Sequence, residues 1–135
     1  MEDLNQAKKR IMVVDNEDDI CDIYKRVLVS EGFDVEAFLD GGTAIDSFAK
    51  KSFDVVITDL KMPKVDGYFV IKKIRELSPK TDIIVITGYA TLDSVVATIK
   101  LGAYDYLVKP FEINDLVSKV KKCIEERGCY SSSGE

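Results

Sequence analysis

The chain has 135 residues, which suits one domain that buries about two thirds of its unfolded surface around a single core. Hydrophobic residues make up 46% of the chain and charged residues 32%, a composition typical of soluble globular proteins that excludes disordered and collagen-like classes. The formal net charge of -5 argues against direct nucleic-acid binding, because such surfaces need clustered Lys and Arg.

The sequence carries no sign of a membrane segment or a disulfide framework. No apolar run approaches the ~20 residues that span a bilayer, and the first residues contain no apolar signal core. We therefore expect a cytoplasmic protein without a membrane partner. The three cysteines, Cys21, Cys123 and Cys129, lack metal-site spacing, and their odd number favours reduced thiols. The absence of histidine excludes an internal imidazole base or ligand.

Strand-like and helix-like patterns alternate along the chain. Segments with apolar side chains at helical spacing follow each of five strand-like runs, three of which are rich in Val and Ile. Near-continuous apolar strands are typical of a parallel sheet that helices cover on both faces, which predicts a three-layer α/β sandwich. The second run, FDVEAF, alternates and is interpreted as an edge strand. The predicted strands are 10–14, 33–38, 53–58, 82–87 and 104–108, and the predicted helix stops are Gly32, Pro79, Gly102 and Gly128.

Polar side chains follow four of the predicted strands at the point where each strand ends. They are Asp15, Asp59, Thr87 and Lys109. Because parallel strands open their carboxyl ends at one edge of the sheet, we expect these four side chains to converge. Two carboxylates, a hydroxyl and an ammonium suit a divalent cation together with a phosphoryl group.

The segments that flank these residues strengthen the prediction. Asp59 begins the stretch DLKMPKVDG, in which a proline-containing loop leads into a glycine at a predicted helix start. Gly88 after Thr87 leaves room for a tetrahedral group. Pro110 follows Lys109, and a cis bond there would bring the lysine side chain over the strand ends.

Four motifs in order carry a resemblance to a known family. VVDNE, ITDLKMPKVDG, ITG and YLVKPF resemble the receiver domain of two-component response regulators, over residues 9–127. The resemblance implies a flavodoxin-like fold of five βα units with strand order 2-1-3-4-5. It leaves residues 1–8 as an N-terminal extension and 128–135 as a flexible tail or linker stub.

The resemblance also implies a role for each residue at the strand ends. Asp59 would be the phosphoacceptor, a nucleophile toward a phosphohistidine or a small acyl phosphate. Asp15 and Asp59 would hold Mg²⁺ (or Mn²⁺) with the backbone carbonyl of Lys61. Lys109 would pair with phosphoryl oxygens, and Thr87 would hydrogen-bond one of them. Such a domain is not an enzyme in the usual sense, since it supports only its own phosphotransfer and autodephosphorylation.

One metal position departs from the family pattern. The family usually has a second acid directly after the first, whereas this chain has Asn16. The amide oxygen of Asn16 remains a possible ligand, but one negative charge is lost, which predicts weaker Mg²⁺ binding. Glu17, Asp18 and Asp19 follow in sequence, and acids at a helix start complement its dipole. This role is assigned to Asp18 and Asp19, whereas the role of Glu17 stays open.

The resemblance predicts how phosphorylation changes the surface. Thr87 would move toward the phosphoryl group, and Tyr106 would turn inward and reshape the fourth helix, fifth strand and fifth helix. Tyr104 is expected on the same face of the strand as Tyr106. Lys61 and Tyr89 lie two positions after Asp59 and Thr87, where side chains influence hydrolysis, and a bulky Tyr89 would slow it.

The expected partners are a sensor histidine kinase and an output domain or downstream protein. A homodimer through the fourth helix, fifth strand and fifth helix is also expected to be possible. Parts of the sequence resemble receivers attached to nitrogen-regulator-type transcription factors, which suggests a role in transcription regulation.

Three alternative functions differ in testable ways. A phosphatase of the haloacid dehalogenase type needs a second acid two residues after the nucleophile, where this chain has Lys61. A flavodoxin-like electron carrier needs a phosphate loop after the first strand, and the acidic NEDDI would repel a flavin phosphate. A degenerate, phosphate-independent interaction module stays open, although the retention of Asp59, Thr87 and Lys109 argues against it.

Overall fold

The computed structural model describes residues 8–62, 64–88 and 90–133, with side chains described as far as Glu126. Five strands and five helices alternate strictly along the chain. The strands are β1 Arg10–Val14, β2 Asp34–Phe38, β3 Val55–Asp59, β4 Asp82–Thr87 and β5 Asp105–Val108. The helices are α1 Asp18–Ser30, α2 Gly41–Lys50, α3 Gly67–Leu77, α4 Leu92–Lys100 and α5 Ile113–Ser133.

The five strands form one parallel sheet in the order β2-β1-β3-β4-β5, as predicted. This order makes β2 an edge strand, which accounts for the alternating pattern of its sequence. All five predicted strands are present, and each limit lies within two residues of the prediction. The flavodoxin-like three-layer sandwich is therefore confirmed.

Alternating side chains of the strands build two separate cores, one on each face of the sheet. On one face, Ile11, Val13 and Ile57 pack with buried side chains of α1 and α5. On the other face, Met12 and Val56 pack with buried side chains of α2 and α3. Both faces of β1 and β3 are covered, so every β3 residue is buried.

Local chemistry explains where several helices begin and end. The side chains of Asp40 and Asp66 accept hydrogen bonds from the backbone N–H groups of Thr43 and Phe69, which caps α2 and α3. Gly32 and Gly102 follow α1 and α4 with φ of 98° and 102°, a conformation that favours glycine. Among the described residues, no helix is long and apolar enough to cross a bilayer.

Two expectations about local structure are wrong. The fifth helix does not stop at Gly128 but continues to Ser133, since a glycine lowers helix propensity without removing a backbone donor. Tyr104 does not share a face with Tyr106: Tyr104 packs against the α1/α5 core and Tyr106 against the α2/α3 core. Tyr104 precedes the first residue of β5, so the alternation of the strand does not extend to it.

The start of α3 runs unusually close to the end of β3. A Cβ atom at Gly67 would lie 2.1 Å from the carbonyl oxygen of Asp59 and 2.6 Å from the Cα of Leu60. The Gly67 N–H donates to the carbonyl of Leu60 at 2.9 Å. The absence of a side chain at Gly67 therefore sets the path of the loop that follows Asp59.

We expect Gly67→Ala to lower the free energy of unfolding by about 3 kcal/mol, because backbone atoms must move to admit the new methyl group. Urea unfolding measures this change. Gly88→Ala is the matched control, since its Cβ would meet only Lys109 side-chain carbons at 4.0 Å. Equal stabilities of the two variants would contradict the packing argument.

Candidate functional site

The four strand-end residues converge at the carboxyl edge of the sheet. Asp59 and Thr87 are the last residues of β3 and β4, and Asp15 and Lys109 directly follow β1 and β5. These four strands are neighbours in the sheet, which brings together residues up to 94 positions apart in sequence, from 15 to 109. Asp15, Asp59 and Thr87 are only 1%, 7% and 2% exposed.

Lys109 joins the two carboxylates. Its Nζ donates to Oδ2 of Asp59 at 2.9 Å and lies 3.5 Å from Oδ2 of Asp15. Its backbone N–H donates to the carbonyl of Thr87 at 2.8 Å, which ties the lysine to the end of β4. The Lys109–Pro110 peptide bond is cis. The two Nζ contacts place the lysine across the strand ends, where its ammonium faces both acids.

Asp59 is held at both of its carboxylate oxygens. Oδ1 accepts the backbone N–H of Lys61 at 3.1 Å, while Oδ2 accepts from Lys109. The N–H of Leu60 donates to the carbonyl of Ile86, which continues the β3–β4 pairing past the strand end. These contacts fix the carboxylate in one orientation at the rim of the site, where a small part of it remains accessible.

Asp15 is the least satisfied charged group of the site. Oδ1 accepts the backbone N–H of Glu17 at 2.9 Å, but the buried Oδ2 accepts no hydrogen bond. Burial raises the pKa of Asp15 above its usual value. The Glu17 N–H and the charge of Lys109 oppose that increase, and the negative charge of Asp59 adds to it. A buried carboxylate oxygen without a donor is a ligand suited to a cation.

The residues present fit a hard divalent cation that retains several water ligands. Asp15 and Asp59 supply two carboxylates, and the exposed Asn16 adjoins them in the loop after β1. Within the described ranges, no group of three or more His, Cys, Asp or Glu residues is placed to hold a metal ion. The donor set is therefore oxygen-based and limited to two acids, to which Asn16 and the Lys61 carbonyl are the candidate additions.

The charges of the site also act on the lysine. Burial by itself would lower the pKa of Lys109. The hydrogen bond to Asp59, with the charges of Asp59 and Asp15, outweighs this effect, so the pKa is raised above its usual value. Lys109 is therefore a permanent cation at neutral pH, able to face an anionic group in the site.

The other residues predicted from the sequence make no hydrogen bond from their side chains to Asp15 or Asp59 that the structure describes. Tyr106 is half-buried against the α2/α3 core, and in the sheet register it pairs with Val85, two residues before Thr87. The side chain of Lys61 is exposed at the rim. Tyr89 lies outside the described residues, so its role stays a prediction. Asp18 and Asp19 occupy the first turn of α1, as predicted.

Two neighbours of the site were not identified from the sequence. Cys21 donates from Sγ to the carbonyl of Asp15 at 3.2 Å, and burial raises the pKa of this thiol to about 11. Burial likewise raises the pKa of Tyr24 to about 12, with Lys109 opposing the increase. Helical periodicity marks both residues as core positions of α1, and only the three-dimensional structure places them beside the acids.

Comparisons with known proteins agree with this geometry. The model of the response regulator receiver domain matches residues 11–121. The regulatory protein AtoC of Escherichia coli (strain K12) is 33% identical over 119 residues, which are 88% of this chain and 26% of AtoC. The chain spans 24% to 56% of the length of the curated relatives that it matches.

Solved structures of receiver domains share the fold of this chain. The CheY-like receiver domain protein from Methanospirillum hungatei JF-1 has a TM-score of 0.88 and 32% identity, covering 90% of this chain and 98% of that one. The beryllofluoride-activated NtrC4 receiver domain dimer has a TM-score of 0.82 and 35% identity, covering 87% of this chain and 97% of that one. With its sheet order, its strand-end acids and these matches, the chain belongs to the family of response regulator receiver domains.

Proposed function

We propose that the chain is a phosphorylation-dependent signalling switch in which Asp59 accepts a phosphoryl group. The observation that carries this proposal is the arrangement of Asp59, with one oxygen 2.9 Å from the Lys109 ammonium and the buried Asp15 close by. A nucleophilic carboxylate needs a defined orientation and a nearby positive charge to receive a phosphoryl group. Both conditions are present in the described site.

These contacts support the following transfer step. A carboxylate oxygen of Asp59 attacks phosphorus, and the bond between phosphorus and the donor breaks. The donor is the imidazole of a sensor histidine kinase or the carboxylate of a small acyl phosphate. Lys109 then faces a phosphoryl oxygen in place of a carboxylate oxygen, and the Thr87 hydroxyl is the next donor along the edge. Later attack by water on phosphorus releases inorganic phosphate and returns Asp59 to its free carboxylate, with Lys61 and Tyr89 as the expected modulators.

Asp15 and Asp59, with Asn16 and the Lys61 carbonyl, would hold Mg²⁺ (or Mn²⁺) in this site. A bound divalent ion lowers the repulsion between the attacking carboxylate and the phosphoryl oxygens. The Oδ2 of Asp15, which is buried and accepts no hydrogen bond, supports this assignment. The replacement of a second acid by Asn16 supports weaker binding than a site with three carboxylates would have.

The signal leaves the site through the surface formed by α4, β5 and α5. A phosphoryl group brings about -1.5 to -2 charge and three acceptor oxygens, enough to draw Thr87 and shift the half-buried Tyr106. The exposed apolar side chains Leu92, Val96, Ile99 and Val108 lie on this surface and suit a protein partner. The partner is an output domain, a downstream protein or a second copy of the chain, and the dimeric state of the NtrC4 receiver supports the last.

Phosphorylation of Asp59 is tested with acetyl phosphate and Mg²⁺, followed by the intact mass of the protein. We expect the wild type to gain the mass of one phosphoryl group and Asp59→Asn to gain none. Asp34→Asn, an exposed acid at the opposite edge of the sheet, is the matched control and should gain the group. An unmodified wild type would instead support a phosphate-independent interaction module.

Asn16→Asp is expected to tighten Mg²⁺ binding about tenfold, because the added carboxylate is a better ligand than the amide. Titration of Mg²⁺ followed by tyrosine fluorescence measures the affinity, since the chain has six Tyr and no Trp. Asn114→Asp makes the same charge change at an exposed position of α5 and should leave the affinity unaltered. If Asn16→Asp binds Mg²⁺ no more tightly, Asn16 is not a metal neighbour.

Without metal, Asp15→Asn is expected to stabilise the protein by on the order of 1 kcal/mol. The reason is that burial raises the pKa of Asp15, so its ionised form costs folding free energy above that raised pKa. Urea unfolding with a chelator measures this gain, and Mg²⁺ should stabilise the wild type but not the variant. Asp46→Asn on the exposed face of α2 serves as the control. If the metal-free Asp15→Asn variant is less stable than the metal-free wild type, the predicted sign of the change in unfolding free energy is wrong.

A further inference from the structure

Helix α4 is more weakly embedded than the other helix of the surface formed by α4, β5 and α5. The structure describes all nine of its residues, and Thr98 alone has a buried side chain. Leu92 and Ile99 are 79% and 57% exposed. The hydroxyl of Thr98 donates to the carbonyl of Val95 in the same helix. Little apolar burial therefore holds α4 against the sheet, and its position depends on how its two ends are attached.

The amino end of α4 is stabilised mainly by its own residues. Thr91 and Ser94 form a capping box, in which each side chain accepts the backbone N–H of the other. These bonds define the first turn of the helix, but they do not join it to another element.

The carboxyl end of α4 is joined to the rest of the domain by Arg75 of α3. Nη2 of Arg75 donates to the carbonyl of Gly102 at 2.8 Å. Nη1 donates to the carbonyls of Pro79 at 2.7 Å and Ser78 at 3.3 Å. One guanidinium thus connects the loop after α3 with the turn after α4.

Gly102 is adapted to this contact. A Cβ atom at Gly102 would lie 2.8 Å from Nε of Arg75, so the guanidinium packs directly on the glycine backbone. Nε itself is buried without a hydrogen-bond partner. Close to the same turn, the N–H of Tyr104 donates to the carbonyl of Ile83 in β4 at 2.7 Å. The carboxyl end is therefore fixed to both α3 and the sheet.

We propose that Arg75 is a positioning residue that anchors the carboxyl end of α4, so that the amino end near Thr87 is the end that shifts on phosphorylation. The part about phosphorylation rests on the proposed function, whereas the anchor itself does not. The planar guanidinium reaches both loops at once, which an ammonium at the same position cannot do. With a rise of about 1.5 Å per residue, the nine-residue helix is a lever of roughly 13 Å with one fixed end.

Amide hydrogen exchange of the full chain tests the anchor without metal or phosphate. In Arg75→Met, exchange at Leu101, Gly102 and Ala103 should rise about tenfold relative to β3 amides, which correct for any loss of global stability. Lys72→Met, on an exposed position of α3, should leave these amides unchanged. Arg75→Lys should restore only part of the protection. Equal corrected exchange in the wild type and Arg75→Met would overturn the proposal.

Beryllofluoride with Mg²⁺, as a phosphoryl mimic, tests which end of α4 moves. In the wild type, exchange should change at 92–96 and stay the same at 101–103, whereas in Arg75→Met the change should extend to 101–103. Equal changes at both ends of the wild-type helix would overturn the proposal that only the amino end shifts. If beryllofluoride alters exchange nowhere, both the proposed function and the proposed shift of the amino end fail. The comparison without the mimic still decides whether Arg75 anchors the carboxyl end.

Discussion

Two buried carboxylates that share one ammonium dominate the carboxyl edge of this sheet. Asp15 and Asp59 together carry two negative charges, and Lys109 supplies one positive charge within 3.5 Å of both. The remaining negative charge lies where Asp15 Oδ2 has no hydrogen-bond donor. Burial makes such an excess costly, and a bound cation would reduce that cost. In the proposed function, the same lysine would pair with an oxygen of the acyl phosphate formed at Asp59.

The fold is what makes this concentration of charge possible. Parallel pairing of β1, β3, β4 and β5 aligns four strand ends that are distant in sequence. Two apolar cores hold these strands rigidly, and the bare backbone of Gly67 lets the loop after Asp59 turn directly into α3. The helices differ in how firmly they are held. Buried side chains embed α1, α2 and α3, whereas α4 depends on attachments at its ends, which suits it to respond to the site.

Strand positions and their ends were predictable because β1, β3 and β4 are rich in Val and Ile and are buried on both faces of the sheet. The positions of Asp15, Asp59, Thr87 and Lys109 follow from that pattern alone. Their separate roles came from the resemblance to receiver domains. The division of the chain into residues 1–8, 9–127 and 128–135 remains a prediction.

Features that depend on three-dimensional detail were not predictable. The face of the sheet predicted for Tyr104 was wrong because side chains alternate between faces only inside a strand, and this residue precedes β5. The stop expected at Gly128 was wrong because glycine weakens a helix without ending it. The three carbonyls that Arg75 joins lie in two loops, and no periodic pattern encodes such a contact.

The most direct test of the proposed phosphorylation is to determine which carboxyl group carries the phosphoryl group. Reduction of the acyl phosphate with borohydride converts the modified aspartate into homoserine, which peptide mass mapping locates. After incubation with acetyl phosphate and Mg²⁺, we expect homoserine at residue 59 and nowhere else. Homoserine at Asp15, or an unmodified peptide around Asp59, would contradict it.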